Sequence, residues 1–350
     1  MRAYKKASLA LAVSSILASY SAFAQDETSS DKGLETITVT AQKRTQTLQE
    51  VPISIATLNG ERFESLFSGG DDILTLATRV PGLYAESSNG RVAPRFYMRG
   101  LGNTDFDLAA SQPVSVVMDN VVMENVVLKS FPLFDVEQVE VIRGPQGTLF
   151  GRNTTAGIVK FDSVKPTDSF DAYFKLGMGS FGTQNAEAAI GGGLTDNVAA
   201  RLSVFSQTRD DYIDNAVSGQ NDAFGGFDEK AYRLQVLFTP SEDLSVLVNV
   251  HGRDLDGTAS VFRANALTRG SNDLNANFDR ESVYYDANLL GNGFDNNPQA
   301  YEGVGGSINV EYNMGDVSFT SITSLETAEG FSLGDVDGGV SADPAADING

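Results

Sequence analysis

From about residue 167 the chain alternates apolar and polar positions with a period of two. Phe170, Ala172, Phe174, Leu176 and Met178 fall on one face, with Asp171, Tyr173 and Lys175 on the other. Val198, Ala200, Leu202 and Val204 repeat the pattern. Tyr232, Leu234, Val236 and Phe238 stand opposite Arg233 and Gln235. Leu244, Val246, Val248 and Val250 stand opposite Ser245, Asn249 and His251, and Ile308, Val310 and Tyr312 opposite Asn309 and Glu311. Successive side chains of a strand point to opposite faces, so each run predicts a strand with one apolar face. Seven strands are predicted, over about 169–179, 183–193, 197–209, 229–239, 243–254, 304–313 and 316–328. A membrane barrel and a soluble sandwich both give this alternation; the connections separate them. Short links at 194–197, 239–243 and 313–316 alternate with long ones at about 211–228 and 255–301. Short turns at one end and long loops at the other are the arrangement of a transmembrane β-barrel, apolar toward lipid and polar toward its lumen. The link 179–182 is a short exception on the long-loop side.

Residues 45–165 read differently, as one compact α+β domain. Val51 to Ala56 alternates as a strand, with Pro52 at its start. Glu61 to Phe67 predicts a short amphipathic helix. Asp71 or Asp72 caps a second, carrying Ile73, Leu74 and Leu76 on its apolar face and ended by Pro81-Gly82. Residues 136–161 then read as strand, glycine-punctuated turn and strand. Gly144, Pro145, Gly147, Gly151 and Gly157 supply tight turns and close backbone approach. No Gly-Lys-Ser/Thr follows these glycines, so this is not a phosphate loop.

The N-terminus carries a basic stretch (Arg2, Lys5, Lys6), a short apolar run from Leu9 to Ala18, and the small-x-small site Ala22-Phe23-Ala24. That order predicts a secretory signal peptide over 1–24, since the run is too short to span a membrane. Residues 25–33 read as a disordered linker. Glu35, Thr36, Ile37, Thr38, Val39, Thr40 and Ala41 follow as a β-prone run. Such a run serves equally as a first strand of the domain or as a strand donated to a partner's sheet edge.

Composition narrows the classes. The 350 residues contain no cysteine and carry a net charge of −21. Nonspecific nucleic-acid binding needs a basic surface and is excluded. The acidity suits solvated loops or, less simply, loops that gather cations. His251 is the only histidine and reads as a lumen-facing polar residue, with no partner for a metal. Asp335-Val336-Asp337-Gly338 lacks the rest of a calcium loop. No nucleophile–base arrangement points to an enzyme, and no cofactor or metal is expected.

The run Val139-Glu140-Val141-Ile142-Arg143-Gly144-Pro145-Gln146-Gly147-Thr148-Leu149-Phe150-Gly151 resembles the motif that closes the plug domain of TonB-dependent outer-membrane receptors. Val51-Pro52, residues 71–83, Phe96 to Gly100 and Val114 to Asp119 extend the resemblance. Ala156-Gly157 stands for the usual Gly-Gly pair, Val159-Lys160 departs after Ile158, and Asn120 replaces a glycine while still tolerating a positive φ. The resemblance implies an α+β plug followed by antiparallel transmembrane β-barrel strands, the start of a barrel of about 22 strands. Seven strands fall short of that number, so an N-terminal fragment is expected: signal peptide 1–24, linker with TonB box 25–44, plug 45–165, and truncated barrel 166–350.

It also implies roles. Residues 35–41 look like the TonB box, which pairs with the periplasmic energy-coupling protein TonB. Arg99 and Arg143, each before a glycine (Gly100, Gly144), resemble plug arginines that pair with barrel glutamates, here expected beyond Gly350; a surface charge at a strand end is the alternative. Loops 84–95 and 101–112 offer Tyr84, Arg91, Asn103, Asp105 and Phe106 as candidate ligand contacts. The implied function is active transport of a scarce small molecule across the bacterial outer membrane. A ferric siderophore or other iron complex is the default, with cobalamin, haem or an oligosaccharide as alternatives. A passive porin would lack the N-terminal domain, and an adhesin would bury its apolar faces against each other.

Overall fold

The computed structural model describes residues 37–59, 72–105, 107, 109–263, 266–276, 278–285 and 297–334. The expected signal peptide, Glu35, Thr36, the helix at 61–67, Phe106 and the Asp335–Gly338 stretch lie outside them.

Among the described residues nine strands precede the long alternating runs: β1 (Thr38–Val39), β2 (Gln46–Thr47), β3 (Ser54–Asn59), β4 (Leu83–Glu86), β5 (Arg95–Met98), β6 (Val114–Met118), β7 (Val121–Met123), β8 (Val136–Arg143) and β9 (Gly157–Ser163). Five of them form a mixed sheet in the order β3-β8-β9-β6-β7, in which β6 and β9 run parallel. Both faces of this sheet are covered, so its central strands read as almost continuous apolar runs. Val116, Val141 and Val159 enter one core with Leu76, Phe96 and Phe134. Their chain neighbours Val117, Ile142 and Ile158 enter a second core with Ala41 and Phe150.

Local chemistry sets the turns. Asp119 and Asn120 both take positive φ (46° and 68°) between β6 and β7, the geometry of a tight hairpin. Gly157 opens β9 at φ 153°, where a Cβ would collide with the Ile142 carbonyl and the Met98 sulfur. The second expected helix is present as a 3-10 helix, Ile73–Thr78, whose Asp72 cap accepts from the Leu74 amide; Ile73 and Leu76 are its buried residues.

The wall follows: β10 (Asp171–Met178), β11 (Gln184–Thr195), β12 (Val198–Arg209), then, after β13 (Ile213–Asn215) and β14 (Gln220–Phe224), β15 (Phe227–Ser241), β16 (Leu244–Thr258), and, after β17 (Ser282–Val283), β18 (Pro298–Met314) and β19 (Val317–Ser332). All seven expected strands are present and pair in chain order as one antiparallel sheet, β10-β11-β12-β15-β16-β18-β19. β15, β16, β18 and β19 extend further toward the long loops than the sequence suggested, so the connection expected at 255–301 shrinks to 259–297. The stretches expected as plain loops also hold structure: β13, β14 and β17 make a small sheet around Ile213, Phe224, Val283 and Tyr285.

The period-two faces fall as expected. Phe174, Leu202, Leu234, Val250 and Ile308 are exposed, while Arg201, Ser203, Arg233, Gln235 and His251 are buried against the plug. An apolar band turned outward with charge turned inward inverts a soluble protein and fits a lipid solvent.

Candidate functional site: the plug–wall contact and the N-terminal strand

Two clusters of buried charge fasten the plug to the wall. The first centres on Asp135, just before β8, held at φ 50°. Arg201 of β12 grips it with both arms, Nε to Oδ2 at 2.7 Å and Nη2 to Oδ1 at 2.6 Å. Ser203 donates to the same carboxylate. Glu187 of β11 accepts from the Asp135 amide at 3.0 Å, and Arg201 also reaches Asp171 at 2.7 Å. Burial alone would push the Asp135 carboxyl up, but the bonds from Arg201 and Ser203 outweigh it and hold it below the usual carboxylate range.

The second centres on Glu229 of β15, buried between two arginines. Arg91 of the plug reaches its Oε2 at 2.9 Å, and Arg253 of β16 reaches its Oε1 at 2.7 Å. Arg91 also donates to Gln207 and lies 3.9 Å over the Phe227 ring. Arg253 donates to Ser130 of the plug at 2.6 Å. Arg201 and Gln207 are both on β12, so six residues at ~3.3 Å each put the two clusters roughly 20 Å apart along the wall. Between plug and wall lies a cavity of about 610 Å³, with Arg91, Asp135, Tyr173, Glu187, Arg201 and Glu229 on its lining.

Arg91 was a candidate ligand contact, but its guanidinium is turned to the wall and paired with Glu229. The expected ion pairs of Arg99 and Arg143 do not occur among the described residues. Arg99 is exposed at φ 51°, and Arg143 donates to Ser54 Oγ at 3.0 Å. Asp135, Arg201, Glu229 and Arg253 were missed. For the three wall residues the signal is a charge on the apolar-poor face of an alternating strand, which marks the lumen side but not the partner; Asp135, just before β8, carries no such signal.

The remaining loop candidates are placed as follows. Tyr84 is exposed and its ring lies 5.3 Å from that of Tyr97. The Tyr97 hydroxyl donates to Glu86 at 2.7 Å, and burial with that bond pushes it up to about 12. Asn103 donates to the Ser111 carbonyl and accepts from the Asp105 amide; Asp105 itself is exposed. His251 lies inside the wall, 3.0 Å from Glu326 and edge-on to Phe131.

The run 37–41 is folded against the plug. Thr38 and Val39 pair antiparallel with Thr47 and Gln46, and the Leu48 amide donates to the Ile37 carbonyl. Val39 and Ala41 are buried. Thr40 donates from its amide to Glu140 Oε1 at 2.7 Å and accepts from Lys160 Nζ at 2.6 Å. Glu140 and Lys160 are cross-strand neighbours on β8 and β9, both buried, and Lys160 is also paired with Asp162. Burial pushes the Glu140 carboxyl above its ordinary range, against the pull of Lys160 and the Thr40 amide.

A charged plug seated against amphipathic wall strands is the architecture of a plugged outer-membrane transporter. Residues 47–158 match the TonB-dependent receptor plug domain. The iron-regulated outer membrane virulence protein of Vibrio cholerae is 26% identical over 268 residues, 73% of this chain and 39% of that protein. The ferrioxamine B receptor of Salmonella typhimurium is 29% identical over 55% of this chain and 28% of its own length. The ferric yersiniabactin uptake receptor FyuA of Yersinia pestis superposes with a TM-score of 0.68 at 18% identity, over 80% of this chain and 41% of that one. The chain thus carries the plug domain of the TonB-dependent receptors, and over most of its length it is similar to proteins named as receptors of the bacterial outer membrane. It spans less than half the length of these relatives.

Proposed function

We propose that the receptor containing this chain actively imports an iron chelate across the outer membrane, coupled to TonB through residues 35–41. Residues 1–24 direct secretion, and 45–165 act as the plug that closes the lumen. The observation that carries the reading is a plug clamped to a lipid-facing wall while a short, β-prone N-terminal strand is held by side chains. Such a plug blocks passive flow, so passage needs work done on it. The relatives support the cargo: several bear the names of ferric receptors. Both signs of charge on the cavity lining suit a hydrophilic ligand. Tyr84, Asn103, Asp105 and Phe106 remain the proposed plug contacts for it, and Arg99 and Arg143 the proposed partners of wall carboxylates outside the described residues.

Three relatives are named vitamin B12 transporters, which makes cobalamin the second reading. Uptake of labelled ferric siderophores and of cyanocobalamin by cells expressing the full receptor separates the two. Deleting residues 35–41 is expected to abolish uptake and leave surface binding of the ligand intact. Uptake that survives the deletion refutes the coupling.

A further inference from the structure

The strand at 37–40 has two backbone edges, and both are occupied. Ile37 and Val39 face the chain's own segment 46–48. Thr38 and Thr40 face the other way, because backbone groups two residues apart point to the same side of a strand. Among the described residues no strand lies on that second edge. Two side chains of β8 fill it instead. Gln138 Nε2 donates to the Thr38 carbonyl at 3.1 Å, and Glu140 Oε1 accepts from the Thr40 amide at 2.7 Å. Gln138 also donates to that same Oε1 at 2.7 Å, so the two caps brace each other. Lys160 closes the group through the Thr40 hydroxyl.

We propose that Gln138 and Glu140 are an edge cap that reserves the Thr38/Thr40 edge for a partner's strand and must open before that strand can pair. This rests on the coupling function proposed above, and it names the surface involved. Strand addition needs a row of free amide and carbonyl groups. The hairpin with 46–48 holds one row permanently and keeps the segment extended. On the other row the Thr40 carbonyl accepts from the Lys43 amide of the following turn, and the cap holds the Thr38 carbonyl and the Thr40 amide with side chains, which swing away without unzipping the plug sheet. The partner that fits is an extended strand with its own unpaired edge.

The cap also explains a buried irregularity. Glu140 Oε2 is buried without a hydrogen-bond partner, while Oε1 accepts from Gln138 and from both donors of Thr40. A carboxylate placed only for its sheet neighbour Lys160 has no need to concentrate its bonds on one oxygen that faces Thr40.

The test uses the full receptor in outer-membrane vesicles without ligand. These 350 residues contain no cysteine, so Val39→Cys places a single buried thiol in them. Maleimide labelling of that thiol is expected to be slow in the otherwise native chain. With Glu140→Ala it is expected to accelerate about tenfold or more, since a hydrogen bond to a charged group is lost. Gln138→Leu, at a half-buried position that leaves the core intact, is expected to accelerate it several-fold. Affinity for the purified periplasmic domain of the coupling protein should rise by the same factors, because the competent state is more populated. Unchanged labelling in both variants, or faster labelling with no gain in affinity, overturns the cap. Deleting 37–41 distinguishes the two levels. If the deletion abolishes partner binding while the cap variants leave it unchanged, the cap alone is wrong. If partner binding survives the deletion, the coupling role of this segment falls with it.

Discussion

Glu229→Ala is the substitution that most directly tests how the plug is held. The native carboxylate lies between Arg91 of the plug and Arg253 of the wall, with both guanidinium groups largely buried. Removing it leaves two arginines facing each other without a counter-charge. Breaking a buried pair from one side costs about 3–5 kcal/mol, most of it from the charge left behind. Arg91→Ala is a different perturbation. Glu229 then keeps Arg253 at 2.7 Å, and the bonds lost from Arg91 share a single oxygen, Oε2. A loss of about 2 kcal/mol is expected, in the range of a hydrogen bond to a charged group. Hydrogen exchange followed by mass spectrometry reads both as local opening of the peptide spanning 87–93. At about 1.4 kcal/mol per tenfold, Glu229→Ala should speed exchange there by roughly a hundredfold or more, and Arg91→Ala by roughly thirtyfold. The segment around Asp135, roughly 20 Å away along the wall, should respond to neither, since separated sites act independently. Equal effects of the two substitutions, or matching acceleration around Asp135, would refute the picture of two separate clamps.

Lys129 is buried with its Nζ on the Val114 carbonyl, and burial lowers its pKa from 10.5 to about 8. Between those values the folded plug binds fewer protons than the unfolded chain, so stability should rise with pH through that window, by up to about 3 kcal/mol. Urea unfolding across the window should show this slope, and Lys129→Met should flatten it. Gly157→Ala, at φ 153° and against the Ile142 carbonyl, should cost more than about 2 kcal/mol and cut the yield of folded receptor, whereas Asn120→Gly, at φ 68°, should be close to neutral. Leu234→Arg on the outward face should cost about 2–4 kcal/mol in vesicle unfolding if that residue meets lipid near the midplane. An effect no larger than that of Leu234→Ala would count against a lipid-facing wall.

The wall was legible because its information is local. A strand with lipid on one side and a polar lumen on the other must alternate, and five of the seven predicted strands do so cleanly without reference to one another. The tight turns were legible for the same reason: Asn120 and the glycines of 144–157 answer to their own φ angles. The extent of the strands was not, because β16 and β18 continue past the membrane-like alternation into Asp254, Asp256 and Gln299, where pairing persists without an apolar face. The small sheet of β13, β14 and β17 escaped for a related reason. Its core joins Phe224 to Tyr285 across two separate connections, and neither connection alternates long enough to declare a strand.

The site was the harder part, and Arg91 shows why. In sequence it sits among Ser, Asn and Gly in a polar loop, the setting of an open contact residue. Its partner is 138 residues away on the inward face of a strand. A period-two pattern says that Glu229 points inward, but a barrel lumen offers many inward positions, and only the seating of the plug selects one. The same holds for Asp135, which looks like an ordinary acid before a strand until Arg201 closes on it from 66 residues further on. Arg99 and Arg143 were singled out by their resemblance to a family's plug arginines, with the partner glutamates expected beyond Gly350, and neither finds a wall carboxylate among the described residues. Charge pairing between plug and wall is therefore set by the register of two bodies rather than by either strand's own pattern. The edge cap at Gln138 and Glu140 belongs to the same class. Nothing within β8 distinguishes a residue that braces Thr38 from one that faces solvent, because the backbone groups it covers lie 100 residues upstream.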